Sequence, residues 1–390
     1  MKKILACMVV MAFATIAVEA DAQSLLKKIG KAVEKEIVNE LKSKNEEKKQ
    51  SPQQAKPQQP ATANTPTQSN ATQKQSYASA DPSSINVPIS EVYPNAQFYN
   101  EGVTGATTII DGIEYVILAD KKYAYLNCVE KSNRGKTSNV KVWGGIRYKG
   151  VVYPVMYIGP HAFEGESLTS VQLPSTLQEI REEAFCHSML KSVVIHSSTW
   201  RIGKSAFADT PLESVRISNG VKKIEGGAFA GCINLTQVMI PESVTSLDRN
   251  IFEDCEKLTE VVLPRNIKTI PVSMFQGCTS LTSFPIPGNI EKIDRQAFAL
   301  SGITSVNIPL GVKIIEDNAF DSCKNLTTIT IPSSVESFGD FIFVFCDKLT
   351  TARIHEKHKS LAVVAQIFMG VNHIITSENL DECKAITWTN

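Results

Sequence analysis

IEGGAFAGCINLTQVMIPESVTSL occupies Ile224–Leu247; LDRNIFEDCEKLTEVVLPRNIKTI follows at Leu247–Ile270, and IPVSMFQGCTSLTSFPIPGNIEKI at Ile270–Ile293. Phe, Cys, Leu and an apolar-x-apolar-Pro run keep their places while the other letters change. The register extends both ways from this stretch. Phe163, Phe185, Phe207, Phe229, Phe252, Phe275, Phe298, Phe320 and Phe343 recur at separations of 22 or 23. Five residues before each stands Ile158, Ile180, Ile202, Ile224, Leu247, Ile270, Ile293, Ile315 or Phe338. After each comes a Leu or Ile, then an apolar-x-apolar pair such as Val238 and Ile240. A fixed period in this range is the signature of a solenoid.

The physics of one unit explains the repetition. A chain of 22 residues with one apolar face cannot bury that face against itself, and stacked neighbours close a continuous core. Within a unit, period-two alternation marks a strand, with Val171 and Leu173, Val193 and Ile195, and Val215 and Ile217 pointing inward. The small residue before the Phe, as in Ala228-Phe229, suits a tight helical turn. Pro241 or Pro264 ends the strand because it has no N–H for a ladder. The Val-x-x-Ile that follows makes a second, shorter strand. The expected class is mainly β with short helical turns, a solenoid of about nine 22–23-residue units over 158–354.

The pattern in AFAGCINLTQVMIPESVTSL resembles the BspA-like, treponemal-type leucine-rich repeats of exported bacterial surface proteins. DGIEYVI and YKGVVYPVMYIGPHAF are similar to the β segment that often precedes such arrays. The resemblance spans about half of the chain. It implies a curved solenoid on an exported, often adhesive protein, and it implies no catalytic residue.

Outside the array, Lys2 and Lys3 precede the apolar run Ile4–Val18 and a small-residue site, the parts of a signal peptide over 1–22. In 23–50, Leu26, Ile29, Val33, Ile37 and Leu41 form one apolar helical stripe; any membrane contact is expected only through this helix, at 24–45. Residues 51–84, rich in Gln, Pro and Thr, read as a disordered linker. Residues 85–157, rich in Val, Ile and Tyr between turn signals, read as an N-terminal β cap, and 355–390 as a C-terminal cap over the aromatic FGDFIFVFC. Export to the periplasm, cell surface or exterior follows from the signal peptide.

The formal net charge is zero, which removes the basic footprint of a nucleic-acid binder. Eight cysteines follow Cys7, an even number that in an exported chain invites disulfides. Five of them, Cys232, Cys255, Cys278, Cys323 and Cys346, lie three residues after a register Phe, where Glu166, Ser188, Thr210 and Ser301 stand in the other units. A position shared by Cys, Ser and Thr is a small turn position, so free thiols are expected.

Catalytic and metal motifs are not matched. RGKTSN around Gly135-Lys136-Thr137 has Glu130 where a phosphate loop needs Gly. His355 and His358 are three apart rather than the four of a zinc-protease helix, and read as a solvated stretch. His161, His187 and His196 occupy variable repeat positions, and Cys186-His187 are sequence neighbours rather than a facing pair. No enzyme activity, cofactor or metal site is expected.

Function then falls to the regular outward strand face. Its first row runs Ser170, Ser192, Ser214, Gln237, Glu260, Ser283, Ser305, Thr328 and Thr351, beside a Thr ladder that includes Thr169, Thr236, Thr259, Thr282, Thr304, Thr327 and Thr350. The second row carries Val194, Arg216, Met239 and Val262 in consecutive units, apolar groups around one Arg as at protein contacts. A protein ligand from host or envelope is the expected partner. The alternative is a carbohydrate-binding or envelope scaffold protein, for which Trp200, at a variable repeat position, would supply a thin exposed platform.

Overall fold

The structure is a computed structural model that describes residues 81–389, except 95, 100, 103–104, 137, 359, 369–370, 372–373 and 379–383. The expected signal peptide, the helix 23–50 and the linker up to residue 80 lie outside the described residues. Pro82–Ser84, at the end of the expected linker, form a 3₁₀ turn, and the Asp81 carboxylate accepts from the Ser83 N–H.

Each repeat except unit 6 contributes two strands, which stack into two parallel ladders. Units are numbered 1–9 by their register Phe, from Phe163 to Phe343. The short ladder takes the two residues that end in the pre-Phe Ile: Glu179–Ile180, Arg201–Ile202, Lys223–Ile224 and Ser246–Leu247. The long ladder takes the apolar-x-apolar segment, such as Ser192–Ile195 paired in register with Ser214–Ile217. In the long strands, Val193, Ile195, Val238 and Val261 are buried and their neighbours exposed, as a half-buried strand requires.

The N-terminal segment starts both ladders. Gly105–Ile110, Ile113–Leu118 and Tyr123–Val129 form an antiparallel meander. Val151–Ile158 pairs in parallel with Tyr123–Val129 on one side and with Glu179–Ile180 on the other. The meander and the short ladder are thus one sheet of eleven strands. Asn139–Lys141 pairs with Ser170–Gln172 and begins the long ladder.

Around each register Phe the backbone makes a tight turn with successive i→i−3 bonds, as in Ala184 to Arg181, Cys186 to Glu183 and Ser188 to Phe185. The residues two before and two after the Phe are left-handed in every unit. In unit 2 these are Glu183 (φ 54°) and His187 (φ 56°); in unit 4 they are Gly227 and Gly231, φ 66° and 67°. Glycine fits such positions without the Cβ cost other residues carry, which explains the Gly of AFAGC. The turns form a third ladder: the N–H of each register Phe from Phe163 to Phe320 donates to a carbonyl of the next unit, as Phe163 does to Ala184.

The nine Phe rings stack in one buried column with centroids 5.1–6.1 Å apart. The Cys column runs beside it. Cys232, Cys255, Cys278, Cys323 and Cys346 each bring Sγ within 3.1–3.2 Å of the register-Phe carbonyl one unit back. Thr210 serves its own Phe207 carbonyl at 2.8 Å. Most units place a small Cys, Ser or Thr here, while unit 1 has Glu166 and the buried Ser188 hydroxyl of unit 2 finds no protein partner. All seven described cysteines are free.

The ladders are interrupted at unit 6. In the short ladder, Arg181, Gly203, Glu225 and Asp248 each donate N–H to the pre-Phe carbonyl one unit back. Pro271 occupies the same place and has no N–H to give. Leu247 loses that donor, and the short ladder restarts at Thr269–Ile270. Pro285 stands in the long-strand position of the same unit, where no strand forms. The Phe column spans this seam but is widest there, 6.1 Å between Phe252 and Phe275. The long ladder also breaks between units 3 and 4, where the repeat lengthens from 22 to 23 between Leu212 and Leu235.

At the C-terminal end, Thr351–Ile354 pairs antiparallel with Lys384–Thr389, which forms a hairpin with Ile374–Glu378. The helix Leu361–Ile367 follows its N-cap Ser360. Phe368 stacks on Phe343 at 5.6 Å, and Gln366 Nε2 donates to the Phe338 carbonyl at 2.9 Å. His358 differs from the solvated stretch expected for His355–His358. It is buried, its Nε2 donates to the Pro332 carbonyl at 3.1 Å, and its ring meets the edge of Phe338 at 5.2 Å. The last repeat exposes aromatic surface that only a following residue can cover, and His358 is recruited to it. Burial pushes its imidazole below the usual range.

Candidate binding face

The second strand row stands outward as expected. Val194 and Arg216 are register partners on the strands of units 2 and 3. Met239 and Val262 are register partners on those of units 4 and 5. Val194, Met239 and Val262 are 45%, 69% and 45% exposed, and Arg216 is exposed between them. Inward neighbours lock each strand, so the outward side chains are held on a rigid surface. On the same row Gln172, Asn307 and Arg353 keep polar character in other units. The aliphatic cluster occupies units 2–5, with the exposed Pro285 next on the row in unit 6.

The Thr column beside it belongs to the fold. Thr169, Thr259, Thr304, Thr327 and Thr350 each direct Oγ1 to a main-chain carbonyl of the preceding strand layer, at 2.9–3.4 Å. These hydroxyls satisfy the edges of stacked turns rather than waiting for a ligand.

The aromatic platform expected at Trp200 is half-buried, with its indole nitrogen out of solvent. Trp143 has one face covered by Lys141 Nζ at 3.9 Å from the ring centroid and its edge near Tyr93.

The thiols are poor nucleophiles. Burial pushes Cys186 up to about 11 and Cys232 up to about 12, and raises Cys255 well above its ordinary value. Burial together with nearby Asp209, Glu183 and Glu164 keeps Cys186 protonated at neutral pH. RGKTSN is anchored rather than open: the Gly135 N–H donates to the buried Glu166 carboxylate of unit 1 at 2.7 Å.

Two side-chain clusters escaped the sequence reading. His161, Glu164 and Glu183 converge, and so do Cys186, His187 and Asp209 one turn further on. The ligand-type atoms come from neighbouring turns, so linear spacing does not show them. Reading the residue two before each Phe as a column would have set His161 over Glu183; the residue two after sets His187 over Asp209. An open groove of about 520 Å³ lies along the seam, between Thr245–Arg249 and Asn266–Thr269, with Asp294 beside it.

Parallel stacked strands, an internal Phe column and turns of left-handed residues define a leucine-rich-repeat scaffold. The BspA type leucine rich repeat region matches in six copies, over residues 151–259, 200–326 and 245–375. The chain belongs to the BspA-type leucine-rich-repeat family. A leucine-rich repeat protein from Bacteroides ovatus is similar at 26% identity and a TM-score of 0.52, covering 62% of this chain and 69% of that one. A Treponema pallidum leucine-rich repeat protein matches at 24% identity and a TM-score of 0.36, covering 62% of this chain and 90% of that one. A leucine rich cell surface protein from Faecalibacterium prausnitzii matches at 19% identity and a TM-score of 0.34, over 67% of this chain and 97% of that one. None of the curated proteins matches the chain.

Proposed function

We propose that the chain is an exported, non-catalytic binding module that engages a protein partner through the long-strand face of units 2–5. The observation that carries this reading is the aliphatic cluster: Val194, Met239 and Val262 stand 45–69% exposed around Arg216. Exposed apolar groups beside an Arg are the composition of contact centres, where Arg supplies five donors and the apolar groups exclude water. Lys2 and Lys3 before the apolar run Ile4–Val18, with a small-residue site after it, support export. The buried thiols and the absence of a matched catalytic motif support a role without chemistry. Among the described residues no helix is long and apolar enough to cross a membrane, and nothing in the neutral charge favours nucleic acid.

The test compares the wild-type chain with a Met239→Glu/Val262→Glu variant. Both are used to capture proteins from envelope and host-matrix extracts, and both are applied to a glycan array. The reading expects a protein species retained by the wild type and lost with the variant. Glycan binding that the variant leaves intact, with identical protein capture by both, would sink it in favour of the carbohydrate or scaffold alternative.

A further inference from the structure

The two left-handed columns beside the register Phe residues bring side chains of successive turns to one point. In units 1 and 2 the column two before the Phe holds His161 and Glu183, with φ of 56° and 54°. Glu164 reaches the same imidazole from unit 1. His161 Nδ1 lies 2.9 Å from Glu164 Oε2 and 3.3 Å from Glu183 Oε2, and the three donor atoms lie within 4.8 Å of one another.

An imidazole Nδ1 carries at most one proton, so a single N–H here is shared between two carboxylate oxygens. A divalent cation among the three atoms converts every one of these contacts into an attraction. Around tetrahedral zinc, with ligands at 2.0–2.2 Å, neighbouring donor atoms stand about 3.3–3.5 Å apart. The observed 3.3 Å matches that separation, and the 2.9 Å contact is shorter. The backbone presents the ligands firmly: the His161 N–H donates to the Glu182 carbonyl at 3.0 Å and the Glu183 N–H to the Lys204 carbonyl at 2.9 Å. The side chains are 51%, 41% and 28% exposed, so solvent has access to the remaining coordination position. Two carboxylates carry the charge that a dication neutralises.

We propose that His161, Glu164 and Glu183 form a surface site for a divalent transition-metal cation of the zinc type, with water completing the coordination. The bound ion joins the turn of unit 1 to the turn of unit 2 near the N-terminal end of the array. The neighbouring Cys186, His187 and Asp209 repeat the pattern more loosely, with His187 Nδ1 3.8 Å from Asp209 Oδ2 and a thiol that burial keeps protonated. It supplies the internal control.

The experiment is a calorimetric titration of the untagged full chain with zinc chloride in a non-chelating buffer. It includes Glu183→Gln, His161→Gln and Asp209→Asn, each checked by circular dichroism and thermal melting. The proposal expects one saturable equivalent of zinc for the wild type and for Asp209→Asn. It expects binding weakened at least tenfold in Glu183→Gln and His161→Gln with their metal-free melts intact. Cobalt(II) should give a ligand-field absorption in the wild type that Glu183→Gln removes. Absence of saturable binding, binding that neither Glu183→Gln nor His161→Gln alters, or loss in Asp209→Asn alone would overturn it.

Discussion

Units 1–5 and units 6–9 share one Phe column, one turn ladder and the same period, yet the two blocks differ. The first block has an unbroken short ladder that runs back into the N-terminal meander. It also carries the exposed Val194, Arg216, Met239 and Val262. The second block begins at a unit with Pro271 and Pro285 in its two strand positions, and its outward row is polar at Asn307 and Arg353. Solenoid stability is a sum of unit and neighbour terms. Two prolines can therefore remove ladder bonds at one junction while the stacked rings and turn bonds hold across it. Core and ladders are separable in this fold, and the proposed binding face ends at the unit where the short ladder does, although the long ladder already breaks between units 3 and 4.

The largest test of that separation is in the rings. Phe207→Ala, inside the first block, should cost about 3–5 kcal/mol in urea denaturation. Phe252→Ala, whose ring stands 5.8 and 6.1 Å from its neighbours rather than 5.1 and 5.4 Å as for Phe207, should cost less. Equal losses would show that the seam is packed as closely as the block.

The thiol column gives a pH test. Cys232 and Cys255 are raised from 9.0 in the fold by burial, Cys232 to about 12. A raised acid binds its proton more firmly when folded, so its contribution is complete below the unfolded value and is lost as pH rises above it. Unfolding free energy should hold below about pH 9 and fall above it, by about 1.4 kcal/mol per pH unit for each such thiol. Cys232→Ser/Cys255→Ser should flatten that slope whatever its own starting stability. An unchanged slope would mean that these thiols are not the titrating groups.

Smaller still, Thr259→Val deletes the hydroxyl donation to the Thr236 carbonyl at 3.1 Å. It should cost about 0.5–1.5 kcal/mol, measured by the same denaturation, with no effect on partner capture. A loss of capture would return the Thr column to the binding face. Pro271→Ala should barely move global stability, since a regained donor is offset by a freer unfolded chain. Its signature is local: the amide that the substitution introduces should exchange as slowly as that of Asp248, which occupies the same place one unit earlier. If the new amide exchanges freely, the seam has another cause.

The sequence displays the core because Phe, Ile and Leu must recur wherever turns stack, and nine repetitions leave no ambiguity of register. Outward residues were equally legible at Val194, Met239 and Val262, since strand alternation decides their direction. What escaped depends on vertical neighbours. Pro271 looks like any proline until its place is compared with Arg181 and Asp248, whose N–H groups bond one unit back. His161 and Glu183 are 22 residues apart and meet only through stacking. The Thr ladder looked like a surface row, but its hydroxyls bond main-chain carbonyls that no linear pattern displays. His358 looked exposed because what buries it, the open end of unit 9, is a property of the array's end rather than of HEKH.

The claim that the long-strand face of units 2–5 is the contact surface is tested most directly by photo-crosslinking from two positions on the same row. A photoreactive residue replaces Met239 in one protein and Asn307 in another, and each is irradiated with envelope and host-matrix extracts. The account predicts a discrete protein adduct through position 239, suppressed by excess wild-type chain but not by the Met239→Glu/Val262→Glu variant, and none through position 307. Equal labelling from both positions, or an adduct through 307 alone, would contradict it.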